Sequence, residues 1–374
     1  MKVLLNLSTL KKGGGQNVAL NFLHSLENLG LLNDNFHFFV AEDSAPLKFL
    51  SKNKGDNYTV LPSNPVKRIL FELFSSKKIL SAKKIDIIYT YFGIGMFTKK
   101  IPQISGSADS NLYFPEINFW THYKGISRLK KWIVDSYRIW GLKRADAVVF
   151  ENELMLERSK ELFGLKETTF IKPSINMDVS SRDLELLEVS NKPRGLFLCG
   201  WQLNKNIMLI PEIALHLKKN DIPFEFAITA PIDKSDMHLK FLDLVKQNNV
   251  EEYIKIIGSV KKEELASLYQ KIDFVFLLSK LESFSNNIIE AWFYKKLLII
   301  SNELWAKSIC KESALYVERD DSKMIADEIV RALKNDEIRS QIIKNASKEI
   351  LDYPTINERT IAELNYIRQV YEAN

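Results

Sequence analysis

A strand-turn-helix tract with two carboxylates constrains this chain more than any other stretch. Phe274–Leu278 is an apolar run of strand length, and residues 288–293 have the apolar content of a helix. Glu282 lies in the turn between them, and Glu290 lies inside the helix. A helix that follows a parallel strand directs free N–H groups and a positive dipole end towards the crevice above the sheet. The tract therefore predicts a place for an anion such as a diphosphate, beside carboxylates that accept hydroxyl hydrogen bonds. The alternative is that both glutamates are solvated charges near a helix end.

Apolar runs of strand length alternate with helical patterns along the rest of the chain, including a predicted helix over Ile69–Ala82. That alternation predicts an α/β fold with parallel sheets and ligands at the carboxyl ends of the strands. A length of 374 residues favours two domains. We predict a first domain over residues 1–178, a linker over 179–194 and a second domain over 195–356.

Composition indicates a soluble globular protein, since 46% of the residues are hydrophobic and 26% are charged. No apolar run approaches the ~20 residues that a membrane span needs, and the N-terminus is predicted to be a strand, not a signal peptide. The two cysteines have no metal-binding spacing, which fits a reducing cytoplasm. Residues 61–150 hold fifteen Lys and Arg against six Asp and Glu, an asymmetry that favours an anionic surface as partner.

A basic and aromatic segment, residues 119–144, lies within that positive region. It holds seven Lys and Arg against one Asp, with three Trp and two Tyr between them. A helix of this kind is a candidate for lying on an anionic membrane surface. The alternative is an ordinary domain helix with aromatic residues in the core. Nothing in the segment matches a nucleic-acid-binding module.

A glycine triplet, Gly13–Gly15, stands between a predicted strand at the N-terminus and a predicted helix that starts at Val18. Glycines in such a loop let backbone N–H groups approach a phosphate or a sugar. The triplet lacks the spacing of the dinucleotide-binding fingerprint, and a plain turn is the alternative.

The tract from Glu282 to Ser301 resembles the signature of retaining glycosyltransferases of family 4, also called group 1. The family pattern is Glu-Gly-Phe-Gly, four residues, Glu-Ala, then Gly-x-Pro-Val-Ile and a Ser. This chain has Glu282-Ser-Phe-Ser, four residues, Glu290-Ala, then Lys296-Leu-Leu-Ile-Ile-Ser301. The carboxylates, the Phe and the spacing match, whereas serines replace both glycines and Lys-Leu-Leu replaces Gly-x-Pro. The glycine triplet also looks like the glycine-rich first loop of the family.

The resemblance implies the GT-B fold, in which two facing Rossmann-like domains enclose a cleft. It also implies that the last helix, at about residues 357–374, packs back on the first domain. The family's Lys that holds the donor diphosphate corresponds to Lys205, with a plain surface lysine as the alternative. The family's Arg near that Lys is absent, and Trp201 or Gln202 stands near its place.

Further roles follow from the same resemblance. Glu290 is expected to bind the ribose hydroxyls, and Glu282 the hydroxyls of the transferred sugar. Family members often carry a His or an Asp facing that sugar in the loop over residues 105–116; Asp109 is the candidate here, and a loop cap is the alternative. Catalytic roles are thus predicted for Glu282, Asp109 and Lys205. The predicted donor-binding residues are Gly14, Gly15, Lys205, Glu282, Phe284, Ser285, Asn286 and Glu290.

The implied activity is metal-independent transfer of a sugar from a nucleotide-sugar donor with retention of configuration. The charge asymmetry and the habit of the family indicate a lipid-linked acceptor at the inner face of the cytoplasmic membrane. O-antigen, lipopolysaccharide or capsule biosynthesis is the expected setting, with a cytoplasmic, peripheral location. Two alternatives remain open: a nucleotide-sugar epimerase on the same fold, and an inactive protein that binds or regulates another glycosyltransferase.

Overall fold

Two parallel β-sheets organise the chain, each at the centre of its own unit. The computed structural model describes residues 1–11, 13–53, 57–98, 100–121, 123–175, 187–188 and 190–374. The first unit comprises Met1–Asn176 and Pro354–Asn374, and the second comprises Met177–Tyr353. Most of the predicted linker over 179–194, namely 179–186 and 189, lies outside the described residues.

The sheet of the first unit has seven strands, all paired in parallel, in the order β3-β2-β1-β4-β5-β6-β7. Its strands are β1 (Val3–Asn6), β2 (Phe36–Ala41), β3 (Tyr58–Leu61), β4 (Ile87–Thr90), β5 (Gln103–Ser107), β6 (Ala147–Phe150) and β7 (Thr168–Phe170). The helices between them are α1 (Gly13–Asn28), α2 (Ala45–Asn53), α3 (Pro65–Phe74), α4 (Ser76–Ala82), α5 (Gly125–Arg144) and α6 (Glu153–Phe163).

The sheet of the second unit has six parallel strands in the order β10-β9-β8-β11-β12-β13. Its strands are β8 (Arg194–Phe197), β9 (Glu225–Ile228), β10 (Ile254–Ile256), β11 (Phe274–Leu277), β12 (Leu297–Ser301) and β13 (Leu315–Val317). Its helices are α7 (Ile210–Lys219), α8 (Asp236–Gln247), α9 (Leu265–Gln270), α10 (Asn286–Phe293), α11 (Leu304–Cys310), α12 (Ser322–Lys334) and α13 (Asp336–Glu349).

The predicted α/β class with two parallel sheets is confirmed, and the physical reason is the burial of the central strands. Every residue of β1, β4, β8 and β11 is buried, as expected when helices cover both faces of a parallel sheet. Strand β8 approaches β11 closely at Gly195, where an added Cβ would lie 2.3 Å from the Phe276 ring. Next to it the Phe197 and Phe276 rings stack with centroids 4.9 Å apart.

One predicted helix is wrong in its extent. Residues 69–82 form the end of α3 and the whole of α4, with Ser75 between them, and α3 already begins at Pro65. Asn64 caps α3 by accepting from the N–H groups of Val66 and Lys67, and Pro is favoured in a first helical turn. No helix within the described residues is long and apolar enough to cross a membrane.

The last helix, α14 (Ile356–Ala373), returns to the first unit and packs on α1. A buried ionic network fixes it there. The Arg359 guanidinium donates to Glu151 at 2.6 Å and to Glu363 at 3.0 Å, and the Tyr91 hydroxyl donates to Glu363. Burial raises the pKa of Glu363, while Arg359 acts in the opposite direction. The network therefore depends on Arg359 to hold two buried carboxylates.

Replacing Arg359 by Ala should destabilise the first unit by about 3–5 kcal/mol, because it leaves buried carboxylates without their cation. Urea denaturation, monitored by circular dichroism, measures the loss. Arg368→Ala is the matched control, since Arg368 lies exposed on the same helix. Equal unfolding midpoints for the two variants would contradict a stabilising role for the network.

Candidate active site

The loop after β8 carries Lys205 at the carboxyl edge of the second sheet. It consists of two short 3-10 turns, Leu203–Lys205 and Ile207–Leu209, joined by Asn206 in the left-handed conformation. The Asn206 side-chain amide donates to the backbone carbonyl of Arg319, which follows β13. The Arg319 side chain in turn donates to the Leu278 carbonyl at the end of β11, at 3.2 Å. These bonds hold the loop across the strand ends.

A second clamp joins this loop to the turn that carries Glu282. The Asn204 side-chain amide donates to the Leu281 carbonyl at 2.9 Å, and its oxygen accepts from the Leu281 N–H at 3.2 Å. The Asn204 carbonyl accepts from the Lys280 N–H at 3.0 Å. The two loops after β8 and β11 are thus fixed to one another by the side chain and the carbonyl of Asn204. Asn204 was missed by the sequence analysis, although it is the neighbour of the predicted lysine.

The result of this clamping is an ion pair between two predicted site residues. The Lys205 Nζ atom lies 2.6 Å from Glu282 Oε1, and the two side chains are 16% and 17% exposed. The sequence analysis predicts separate ligands for these residues, a diphosphate and a sugar, whereas the structure has them bound to each other. An anion that binds Lys205 must therefore compete with the Glu282 carboxylate.

Helix α10 begins directly after the turn, with Ser285 in the N-cap position. The Ser285 side chain forms no capping hydrogen bond in this position. The start of the helix is held instead by Asn287, whose amide donates to the Leu198 carbonyl next to β8 at 3.0 Å. Asn286 is exposed in the first turn, whereas Ser285 is buried.

Glu290 lies inside α10 and is only 8% exposed. The Tyr269 hydroxyl, from α9, donates to its Oε2 atom at 2.8 Å. Burial raises the pKa of Glu290, and the hydrogen bond from Tyr269 partly opposes that rise. The alternative that this glutamate is a solvated helix-end charge is therefore wrong. Tyr269 has no signal in the sequence that would identify it as a partner.

Two aromatic residues near the predicted site have structural contacts. The Phe284 ring centroid lies 6.0 Å from that of Tyr353, which also contacts Trp292. Trp201, near the place of the missing family Arg, stacks on His238 and donates its indole N–H to the Pro231 carbonyl at 2.6 Å. The Trp201 indole is thus committed to packing against α8. Phe284 anchors the turn after Glu282.

The predicted glycine loop is wrong in its conformation. Gly13, Gly14 and Gly15 form the first turn of α1 and do not lie in a loop. Gly13 has a positive φ of 69°, and a Cβ added at Gly15 would lie 3.0 Å from the Leu10 side chain. The loop proper precedes the triplet. Gly14 and Gly15 thus lie at a helix start that follows the carboxyl end of β1.

Asp109 follows β5 in the sheet of the first unit and contacts α5. Its Oδ2 atom lies 3.2 Å from the Arg138 Nε atom, and Arg138 also contacts Asp135 at 3.2 Å. Asp109 stands before a short 3-10 turn, yet its side chain forms no capping bond. The alternative of a loop cap is therefore wrong. Burial raises the pKa of Asp109, and the Arg138 charge acts to lower it.

The burial of Glu290 predicts that Glu290→Gln, which keeps the shape of the side chain and removes its charge, increases the stability of the protein in a pH-dependent way. Because burial raises the folded-state pKa of Glu290, the wild type has its full stability below the ordinary pKa near ~4.3. It loses stability as the pH rises through the folded-state value. The variant should therefore gain in urea midpoint, relative to wild type, between acid and neutral pH. A difference that is constant with pH would contradict the raised pKa.

Comparison with known proteins agrees with this geometry. Residues 186–349, which include the ion pair and α10, match the family described as Glycosyl transferases group 1. No curated protein matches the sequence.

Solved structures resemble the chain over nearly its whole length. Sucrose-phosphate synthase from Thermosynechococcus elongatus superposes with a TM-score of 0.74 at 14% identity, covering 100% of both chains. A glycosyltransferase from Rickettsia africae has a TM-score of 0.72 at 18% identity, covering 100% of this chain and 99% of its own. HepE from Anabaena, solved with UDP and glucose, has a TM-score of 0.71 at 15% identity, covering 98% and 99%.

At these identities the structural likeness shows the fold alone. The chain has the GT-B fold, and its residues 186–349 match Glycosyl transferases group 1.

Proposed function

We propose that this protein transfers a sugar from a nucleotide-sugar donor to an acceptor hydroxyl with retention of anomeric configuration. The observation that carries the proposal is the clamped Lys205–Glu282 pair at the carboxyl edge of the second sheet, directly before the start of α10. This edge is where ligands bind in open parallel sheets. It lies within the residues that match Glycosyl transferases group 1.

The chemistry assigns a role to each charge. Lys205 and the free N–H groups at the start of α10 stabilise the leaving diphosphate, whose charge grows in the transition state. Glu282 accepts hydrogen bonds from hydroxyls of the transferred sugar. Glu290, held by Tyr269, accepts from the ribose hydroxyls. The donor-binding roles of Gly14 and Gly15 and the catalytic role of Asp109, all in the first unit, stay predictions.

Retention follows from attack on the same face of the sugar. The bond between the anomeric carbon and the diphosphate oxygen breaks, and the leaving nucleoside diphosphate takes the electron pair. The acceptor oxygen forms its bond to that carbon on the same face, and its proton passes to the leaving phosphate. We propose that Glu282 orients the sugar and forms no covalent intermediate.

Because Lys205 and Glu282 form an ion pair, substitutions of these two residues should affect nucleotide binding differently. Lys205→Ala should weaken binding of a nucleoside diphosphate by about 10- to 100-fold, because one charge-assisted contact is lost. Glu282→Gln should keep or tighten nucleotide binding, because Lys205 is released, yet slow sugar transfer. Isothermal titration with UDP, the nucleotide bound to HepE, and a transfer assay separate the two effects.

The control for this pair of variants is Lys219→Ala, since Lys219 is exposed on α7. It should bind UDP as the wild type does. UDP, GDP and ADP should be compared by thermal shift first; a nucleotide at a hundred times its Kd stabilises by about 2.7 kcal/mol. If Lys205→Ala bound the preferred nucleotide as tightly as the control, the assignment of the diphosphate site would be wrong.

We also propose that the transfer needs no metal ion, because Lys205 and the start of α10 supply the positive charge. Transfer rates should then be the same after treatment with EDTA and after addition of Mg²⁺ or Mn²⁺. If EDTA abolished activity and added metal restored it, this part of the proposal would be overturned, but the assignment of the donor site would not.

For the acceptor we propose a lipid-linked glycan intermediate of surface-polysaccharide biosynthesis, reached at the inner face of the cytoplasmic membrane. The support is the excess of positive charge in residues 61–150 and the exposed basic helix within residues 119–144. A lipid-linked acceptor keeps its diphosphate at the anionic membrane surface, where such a helix would hold the enzyme.

A further inference from the structure

Helix α3 in the first unit exposes an apolar stripe and buries an acidic side chain. Glu72 is buried, at 5% exposure, and burial raises its pKa to about 7 although Arg68 lies 3.9 Å away. Large apolar side chains at helical spacing point the other way, with Phe74 at 77% exposure. These exposed residues are Val66, Leu70, Leu73 and Phe74. A surface helix normally turns its apolar stripe inward, so the outward stripe of α3 is suited to a non-aqueous environment.

Helix α5 shows the same excess of exposed apolar surface. The structure describes all twenty of its residues, and only Gly141 and Leu142 are buried. Six large apolar side chains of this helix are exposed: Ile126, Leu129, Trp132, Ile133, Val134 and Trp140. Many large apolar side chains exposed on one helix indicate an interaction site.

Charged groups of α3 lie near one side chain of α5. Tyr137 of α5 lies close enough to Glu72 and Arg68 of α3 for their charges to act on it; burial, and then the Glu72 charge, raise the pKa of Tyr137 to about 12. The Phe97 ring packs beside Tyr137 and Trp140, with centroids 6.2 and 5.8 Å away. We call the exposed side chains of α3, α4 and α5 together the α3/α5 surface.

The positive charge of the α3/α5 surface indicates which kind of partner it binds. Residues 65–82 and 124–144 hold eleven Lys and Arg against two acids. Glu72 is buried, and Asp135 accepts from Asn111, Trp120 and Arg138. The exposed charged side chains on these described helices are therefore all basic. A second copy of the chain would present the same positive charge, so self-association here is opposed, whereas an anionic bilayer complements both the charge and the apolar side chains.

We propose that the apolar stripe of α3 inserts into an anionic lipid bilayer while the basic residues of α4 and α5 bind the lipid phosphates. This inference rests on the proposed function and extends it. It adds α3, which lies outside residues 119–144, as the element that inserts into the membrane. Because insertion buries apolar area, attachment should persist at salt concentrations that screen the charges.

The test compares sedimentation of the full chain with vesicles of phosphatidylcholine, with and without phosphatidylglycerol, at low and high salt. The wild type should bind the anionic vesicles and keep part of that binding at high salt. Leu70→Ser with Phe74→Ser should lower the partition coefficient by about tenfold, because two large side chains no longer enter the acyl region. Leu70→Met with Phe74→Leu, which remains apolar, should restore binding.

The matched control is Ile232→Ser with Leu351→Ser, two exposed apolar positions in the second unit, which should bind like the wild type. Equal binding by the α3 double variant and this control would overturn the proposal. The proposal would also be overturned if analytical ultracentrifugation showed a dimer that the α3 double variant abolishes, and if the wild type did not bind vesicles. The surface would then be a protein interface. UDP titration of each variant reports the donor site separately, so failure of the proposed glycosyl transfer is distinguishable from failure of insertion.

Discussion

Backbone pairing between short, fully buried parallel strands decides where polar chemistry can lie in this protein. The N–H and C=O groups of β8 and β11 are paired within the sheet, and their side chains are covered on both faces. Only the strand ends remain for charged groups. There the Lys205–Glu282 pair forms, because Asn204 binds the backbone of the turn after β11. The clamp uses one amide side chain, that of Asn204, against a neighbouring loop.

The sequence predicts the sheets and the site tract for physical reasons that lie within short windows. A strand such as Phe274–Leu277 is apolar at every position because both faces are buried, and the following turn carries polar residues. For the glycine triplet, a short window of sequence does not determine the conformation. The same three glycines are compatible with a loop or with a first helical turn, and in the structure they form the first turn of α1.

The partners of the predicted residues could not be predicted because they come from distant parts of the chain. Tyr269 reaches Glu290 from another helix, and Arg138 reaches Asp109 across a loop. The orientation of α3 could not be predicted from the sequence either. Its sequence contains an apolar stripe, and only the structure, through the exposure of Leu70 and Phe74 and the burial of Glu72, shows that this stripe points outward. A prediction from periodicity identifies an amphipathic helix but does not say which face meets the core.

The return of α14 to the first unit has a consequence for how the chain is made. Residues 177–353 are in effect inserted between the body of the first unit and its last helix. During synthesis the sheet of the first unit leaves the ribosome early, whereas Arg359, the partner of Glu151, emerges only with α14. The inserted unit has all its strands by then and is free to fold first as an independent body. Folding of the N-terminal half is therefore coupled to synthesis of α14, and a nascent chain that lacks α14 would expose the face of α1 on which this helix packs.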